Sequence, residues 1–163
     1  MYRPMHISAL AVDSLTRSPI VLLKEIDGER TLPIWIGLLE ANAIAVELEG
    51  IQLARPMTHD LVKNIFEMID VQVARIEITE LKNNTFFALI HIKYKDQEFT
   101  IDSRPSDALA LSLRVGAPIF VAEEVIEGSL QIEFQAEPED KTEKGKAYRK
   151  ILEKADPEDF GNT

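Results

Sequence analysis

Between Val71 and Ile92 apolar side chains take every second position along two successive runs, with Asn83-Asn84 between them. In the first run Ala74, Ile76 and Ile78 alternate with Arg75, Glu77 and Thr79. In the second, Phe86, Ala88, Ile90 and Ile92 keep the same period. Successive side chains of a strand point to opposite faces, so the pattern predicts two strands with one apolar face each. Asn tolerates the left-handed backbone of a tight turn, which makes the pair an antiparallel hairpin. An all-helical fold is excluded, and the rest of the chain must cover the apolar face.

A small antiparallel meander is expected at the N-terminus, from strand-like runs at His6–Asp13, Pro19–Leu23 and Arg30–Ile36. Asp27-Gly28 is a hairpin signal between the last two. Leu38 to Glu49 reads as a well-buried helix ending at Gly50, a residue suited to a left-handed cap. A second helix runs from Thr58, as N-cap, to about Ile69. Its broad apolar stripe comprises Leu61, Ile65 and Met68 with Val62, Phe66 and Ile69 beside them. After a Lys95-Asp96 turn and a short strand at Glu98–Ile101, the run Asp102 to Asp107 opens a third helix that ends at Gly116. Pro118–Val121 and Glu123–Ile126 read as a short strand and a final helical turn. The fold class is α+β, an antiparallel or mixed sheet with three principal helices packed on it. One domain spans residues 1–134, and 135–163 form a charged, flexible tail.

Composition narrows the chemistry. The 163 residues contain no cysteine, which excludes thiol nucleophiles, disulfide frameworks and zinc–thiolate sites and suits a reducing cytoplasm. No apolar run approaches the ~20 residues of a membrane span, and Met1 to His6 lacks the apolar stretch of a signal peptide. A cytoplasmic protein with no membrane partner is expected. The net charge of −10 repels polyanions in general, so any nucleic-acid chemistry needs a local basic patch or bound cations.

Three segments place reactive polar residues at element boundaries. Glu40 sits in the first turn of an apolar helix, as a helix-dipole partner, a metal ligand or a base. Arg55, Thr58, His59 and Asp60 surround the next helix N-terminus. There Arg55 and His59 could meet an anion, or Thr58 and Asp60 could simply cap the helix. Asp102, Ser103, Arg104, Ser106 and Asp107 crowd a strand-to-helix junction. Asp102 and Asp107 could converge on a divalent cation, or the serines could cap and Asp102 pair with Arg104. His91, inside a strand, and His6, near the terminus, are weaker candidates. No HExxH, EF-hand, Walker or GxSxG spacing is present.

Taken together, Leu32-Pro33-Ile34-Trp35-Ile36-Gly37 with Glu40-Ala41, Arg55-Pro56-Met57-Thr58-His59-Asp60, Ile101 to Ala108, and Gly116-Ala117-Pro118-Ile119-Phe120-Val121 resemble the signature blocks of the bifunctional nuclease domain. The resemblance covers roughly Met5 to Ile132. It implies an α+β domain, a homo-oligomer, and hydrolysis of phosphodiester bonds in both DNA and RNA. The motif positions that carry across are Glu40, Arg55, Thr58, His59, Asp60, Asp102, Ser103, Arg104, Ser106 and Asp107. On that basis Asp102, Asp107 and Glu40 would hold a divalent cation, Mg²⁺ or Mn²⁺, with no organic cofactor. His59 would act as general acid or base oriented by Asp60, and Arg55 and Arg104 would bind phosphate. Thr58, Ser103 and Ser106 would help to bind substrate. The competing reading is a non-catalytic anion-binding or assembly protein that uses the same motifs structurally.

Overall fold

The computed structural model describes residues 1–129; the domain boundary expected at 134 and the charged segment after it lie outside the described residues. Strands β1 (Tyr2–Val12), β2 (Pro19–Glu25) and β3 (Thr31–Trp35) form the expected N-terminal meander. Strands β4 (Val71–Lys82), β5 (Thr85–Tyr94) and β6 (Gln97–Ser103) form a second one. The short β7 (Ile119–Ala122) lies between them, antiparallel to β1 and parallel to β4. A seven-stranded mixed sheet of order β3-β2-β1-β7-β4-β5-β6 results. The helices are α1 (Leu38–Leu48), α2 (Thr58–Met68), α3 (Pro105–Val115) and α4 (Glu123–Ser129). The last extends the expected helical turn into a fourth helix. The class is α+β, as the alternation and helix periods dictate.

The hairpin pairs Ile76 with Ile90 and Ile78 with Ala88, and all four are buried. Against this face pack Leu109 and Leu111 of α3, Ile44 of α1 and Ile126 of α4. Each fully buried aliphatic side chain contributes roughly 2 kcal/mol. Asn83 and Asn84 take the positive φ that the turn requires, at 50° and 57°. Pro105 occupies the first turn of α3, where a missing N–H leaves no gap in the ladder, and Gly116 ends the helix at φ 70°.

Four expectations are corrected. Strand β1 starts at Tyr2 rather than His6, because Tyr2 to Met5 pair with β7. Gly28 does not adopt a left-handed conformation. The loop between β2 and β3 is longer than a two-residue turn and is closed by Glu25 N–H donating to the Arg30 carbonyl at 3.1 Å and by the Arg30–Glu25 ion pair. Met57, not Thr58, is the N-cap of α2, and the Asp60 carboxylate accepts its N–H at 2.8 Å. Finally, α2 turns half its stripe outward. Val62 and Phe66 pack on the core, while Leu61, Ile65 and Met68 are 52%, 46% and 84% exposed. Those three point about 100° round the helix from Val62 and Phe66, so only one edge of the wide stripe meets the sheet.

Candidate active site

The N-terminal turns of α1, α2 and α3 meet above the helix-covered face of the sheet. Arg104, the residue before α3, extends its guanidinium to two carboxylates: Nη1 donates to Glu40 of α1 and Nε to Asp107 of α3, both at 2.7 Å. A second nitrogen, Nη2, reaches the other Asp107 oxygen at 3.2 Å, which makes the Arg104–Asp107 contact bidentate. From α2, His59 Nε2 lies 3.0 Å from Asp107 Oδ1. Three chain segments, with Glu40 and Arg104 64 positions apart, thus supply one cluster.

Burial opposes the charge on Asp107, but hydrogen bonds from Arg104 and His59 outweigh it and hold the carboxyl below its ordinary range. The carboxylate is therefore ionised at neutral pH, and the His59 nitrogen facing it carries the proton. The other nitrogen, Nδ1, is buried and has no hydrogen-bond partner among the described residues. An imidazole held by a carboxylate at one nitrogen, with no partner at the other, has the arrangement of an oriented acid–base group. Glu40 owes its position partly to Gly37: a Cβ there would lie 2.2 Å from Glu40 Oε2 and force the carboxylate aside.

Asp60 does not orient His59. Its carboxylate accepts from Met57 N–H and from Nε of Arg114, the latter at 2.7 Å. Burial is again outweighed by these two donors, and the Asp60 pKa is lowered. Arg114, absent from the sequence-derived candidates, has a side chain only 1% exposed; Nη1 donates to the Ala110 carbonyl at 2.8 Å, and Glu47 lies 3.8 Å from Nε. Its sequence signal is a lone cation in the apolar run Ala108 to Val115. Such a residue on a packed helix has to find a buried counter-charge.

The remaining candidates lie apart. Asp102 pairs with Leu89 in the β5–β6 ladder, so the pleat turns it to the face opposite Ile90 and away from the helices. It cannot share a cation with Asp107, and Arg104 takes Asp107 and Glu40 instead. Among the described residues no group of three or more His, Asp or Glu is placed to hold a metal ion. The donor set therefore does not fit a divalent cation while Arg104 bridges the two carboxylates. Ser103 Oγ donates to the Arg104 carbonyl at 2.9 Å and shapes the junction. Ser106 is buried, whereas Thr58 and Arg55 are exposed, and Arg55 makes no ion pair among the described residues. No helix among the described residues is long and apolar enough to cross a membrane.

A family model described as the bifunctional nuclease domain matches residues 21–133. An uncharacterized protein of Mycobacterium tuberculosis (strain ATCC 25618 / H37Rv) is 34% identical over 164 residues, covering 98% of each chain. Bifunctional nuclease 1 of Oryza sativa subsp. indica is 30% identical over 112 residues, 67% of this chain and 34% of that protein. Bifunctional nuclease 2 of Arabidopsis thaliana is 27% identical over 107 residues, 64% of this chain and 32% of that protein. The chain thus spans about a third of the length of these plant relatives.

Proposed function

The chain belongs to the bifunctional nuclease domain family, and on that premise we propose that it hydrolyses phosphodiester bonds of DNA and RNA at the His59–Asp107–Arg104–Glu40 cluster. The observation that supports this reading is a connected cluster from three helices: Glu40 and Asp107 hold one exposed guanidinium, and His59 meets the same Asp107. Arg104, 64% exposed, receives the phosphate oxygens and stabilises the charge that develops on them, while Glu40 and Asp107 fix its plane. His59 accepts the proton of the attacking water through Nδ1 as the water oxygen bonds to phosphorus and the P–O bond to the leaving nucleoside oxygen breaks; Asp107 stabilises the imidazolium, and the leaving oxygen takes a proton from solvent. In the free protein Nδ1 is buried, so the groups that cover it must move aside when substrate binds, with Nε2 kept on Asp107. Exposed Arg55 supplies a second phosphate donor, with Thr58, Ser103 and Ser106 as polar neighbours. No step is routed through a metal; a divalent cation at this site would have to displace Arg104 from Glu40 and Asp107. A cytoplasmic homo-oligomer remains part of the proposal, supported by the absence of cysteine and by the exposed apolar side of α2.

The test is incubation of the purified protein with end-labelled single-stranded DNA and RNA, with Mg²⁺, with Mn²⁺ and with chelator, beside His59→Ala and Asp107→Asn. Cleavage by the parent alone is expected. Equal cleavage by all three proteins identifies a contaminant, and no cleavage by any of them overturns the proposal.

One observation favours the non-catalytic reading: Arg104, Asp107, His59 and Asp60 all have internal partners, as an architectural network requires. Under it, His59→Ala lowers the melting temperature and leaves anion binding intact, with no cleavage in the parent protein.

A further inference from the structure

A groove of about 590 Å³ opens beside α2, in the size range of ligand pockets. One wall is α2, through Lys63 and Phe66. The floor is the start of β4, Val71 to Ala74, and the far wall is the Gly116-Ala117-Pro118 turn; Lys93 reaches in from β5. The groove exists because β7 is short. It pairs with β4 only from Ile76 to Ile78, so no strand pairs with that edge of β4 at Val71 to Ala74. The pleat sets Lys93 opposite Gln72, on the face away from the helices, while Lys63 stands on the helix side. The notch is thus flanked by a cation on each face of the sheet.

Both lysines are available to a ligand. Among the described residues Lys63 pairs only with Glu67 at 3.7 Å and Lys93 only with Glu98 at 3.1 Å, and those carboxylates are 65% and 57% exposed. Ion pairs of this kind are worth about 0–1 kcal/mol and yield readily to a phosphate. Arg114, which also lines the groove, is committed to Asp60, the residue next to His59. Position along α2 makes the second link. His59, Lys63 and Phe66 are spaced i, i+4 and i+7, which puts them on one side of the helix, with Lys63 about 6 Å and Phe66 about 10 Å beyond His59. That advance is on the scale of one to two nucleotides of a single strand. Phe66, half-buried in the wall, offers an aromatic surface of the type on which bases stack.

We propose that this groove binds the backbone of single-stranded nucleic acid, with Lys63 and Lys93 on its phosphates, one to two nucleotides from the bond presented to His59. The inference rests on the nuclease reading for its substrate, but its test does not require cleavage. It also answers the charge objection: the chain has no basic stripe in sequence, yet α2 and β5 bring two lysines to one notch.

The experiment is fluorescence-anisotropy titration of a labelled short oligothymidylate, verified intact by gel, across a salt series. The parent is compared with Lys63→Gln/Lys93→Gln and with Lys24→Gln/Lys82→Gln, which removes the same charge away from the groove. The groove variant is expected to bind about tenfold more weakly, with a log–log salt slope smaller by about 1.4, or about 0.7 per lost phosphate contact. The control variant keeps the parental slope. Equal affinities and slopes for the parent and the groove variant overturn the proposal, as does absence of binding to the parent at low salt. Lysine-dependent binding of a labelled oligoglutamate in place of the oligonucleotide overturns it in favour of an acidic peptide. Binding that follows the expected pattern in a protein without nuclease activity keeps the groove and removes only the catalytic reading.

Discussion

The sheet carries the same trio of residue types on both of its faces. On the helix side His59 and Arg104 share Asp107; on the open side His91 and Arg75 share Glu77, with contacts of 2.9 Å and 2.7 Å. In both trios burial resists the carboxylate charge, and the Arg hydrogen bond and the nearby His outweigh it, so both acids have lowered pKa values. What differs is the scaffold. Glu77 sits in the β4–β5 ladder, two residues from Arg75 on the same strand and across from its histidine's neighbour Leu89. The Tyr2 phenol, whose pKa is raised by burial and by Glu77, closes the group from β1. Arg75 and Glu77 are 35% and 12% exposed, against 64% and 33% for Arg104 and Asp107. A trio on regular strands braces the sheet. One held between helix N-termini can admit an anion without breaking a backbone ladder.

The sharpest way to break this comparison is to remove each histidine in turn. His59→Ala is expected to lower nuclease turnover by about 100-fold or more, the scale of a lost general base, and His91→Ala by less than about twofold. Equal losses in a discontinuous cleavage assay would mean that the two faces are functionally equivalent. Next comes the arginine. Arg104→Lys keeps the charge but loses the fork, and is expected to cost about tenfold or more in kcat/KM. Arg75→Lys should leave kcat/KM unchanged.

Stability gives a smaller contrast. Arg114→Met strands Asp60 without its counter-charge, at about 3–5 kcal/mol by urea unfolding. Arg75→Met leaves His91 beside Glu77, at 2.9 Å, and is expected to cost less, about 1 kcal/mol. Neither trio is expected to dominate acid sensitivity, because a third network lies at the end of β7. Hydrogen bonds from Arg30 and Arg3 lower the Glu123 pKa from 4.5 to about 2. A depressed carboxylate stabilises the fold above its unfolded value and loses that contribution as pH falls through the folded one. The stability gap between the parent and Glu123→Gln should therefore be constant above pH 4.5 and close between pH 4.5 and 2. The smallest effect is expected for Leu61→Gln/Ile65→Gln/Met68→Gln: within about 0.5 kcal/mol if that side of α2 faces water. A larger loss with a fall in particle mass by light scattering would place a second copy there.

The meanders and the β4–β5 turn are legible in the sequence because a two-residue period and an Asn-Asn turn are local signals, whereas the Asp27-Gly28 signal misses the longer β2–β3 loop. The α2 stripe misleads for a related reason: periodicity finds an apolar helix side but not which part of a wide stripe meets the sheet. Thr58 and Asp60 are residues apart by two on one helix turn, and either can satisfy the first N–H groups; the side chain that reached Met57 is Asp60. The residues Glu40, His59, Arg104 and Asp107 stand out locally, but their partnerships do not. His59 pairs with a carboxylate 48 positions away rather than with its neighbour Asp60, and adjacent helical residues point about 100° apart. Asp102 and Asp107 are near in sequence, yet the pleat sends the first to the other face. Arg114 escapes the sequence because a single cation in an apolar helix reads equally as a side chain that reaches solvent, and its buried partner Asp60 is 54 positions away.

Strand β7, only four residues long, is the last strand to be synthesised among the described residues and the one at the centre of the sheet. The β1–β3 and β4–β6 meanders are each built from neighbours in sequence and can form as soon as they are made. Until Ile119 to Ala122 are available, however, each exposes an inner edge that has no strand beside it. A nascent chain stopped before that point carries two open edges of the kind that recruit other chains. The helix that ends just before β7 is α3, which supplies Arg104 and Asp107. Completion of the site and closure of the sheet are thus consecutive events at the end of synthesis of residues 1–122, and a truncated chain has neither a joined sheet nor a supported cluster.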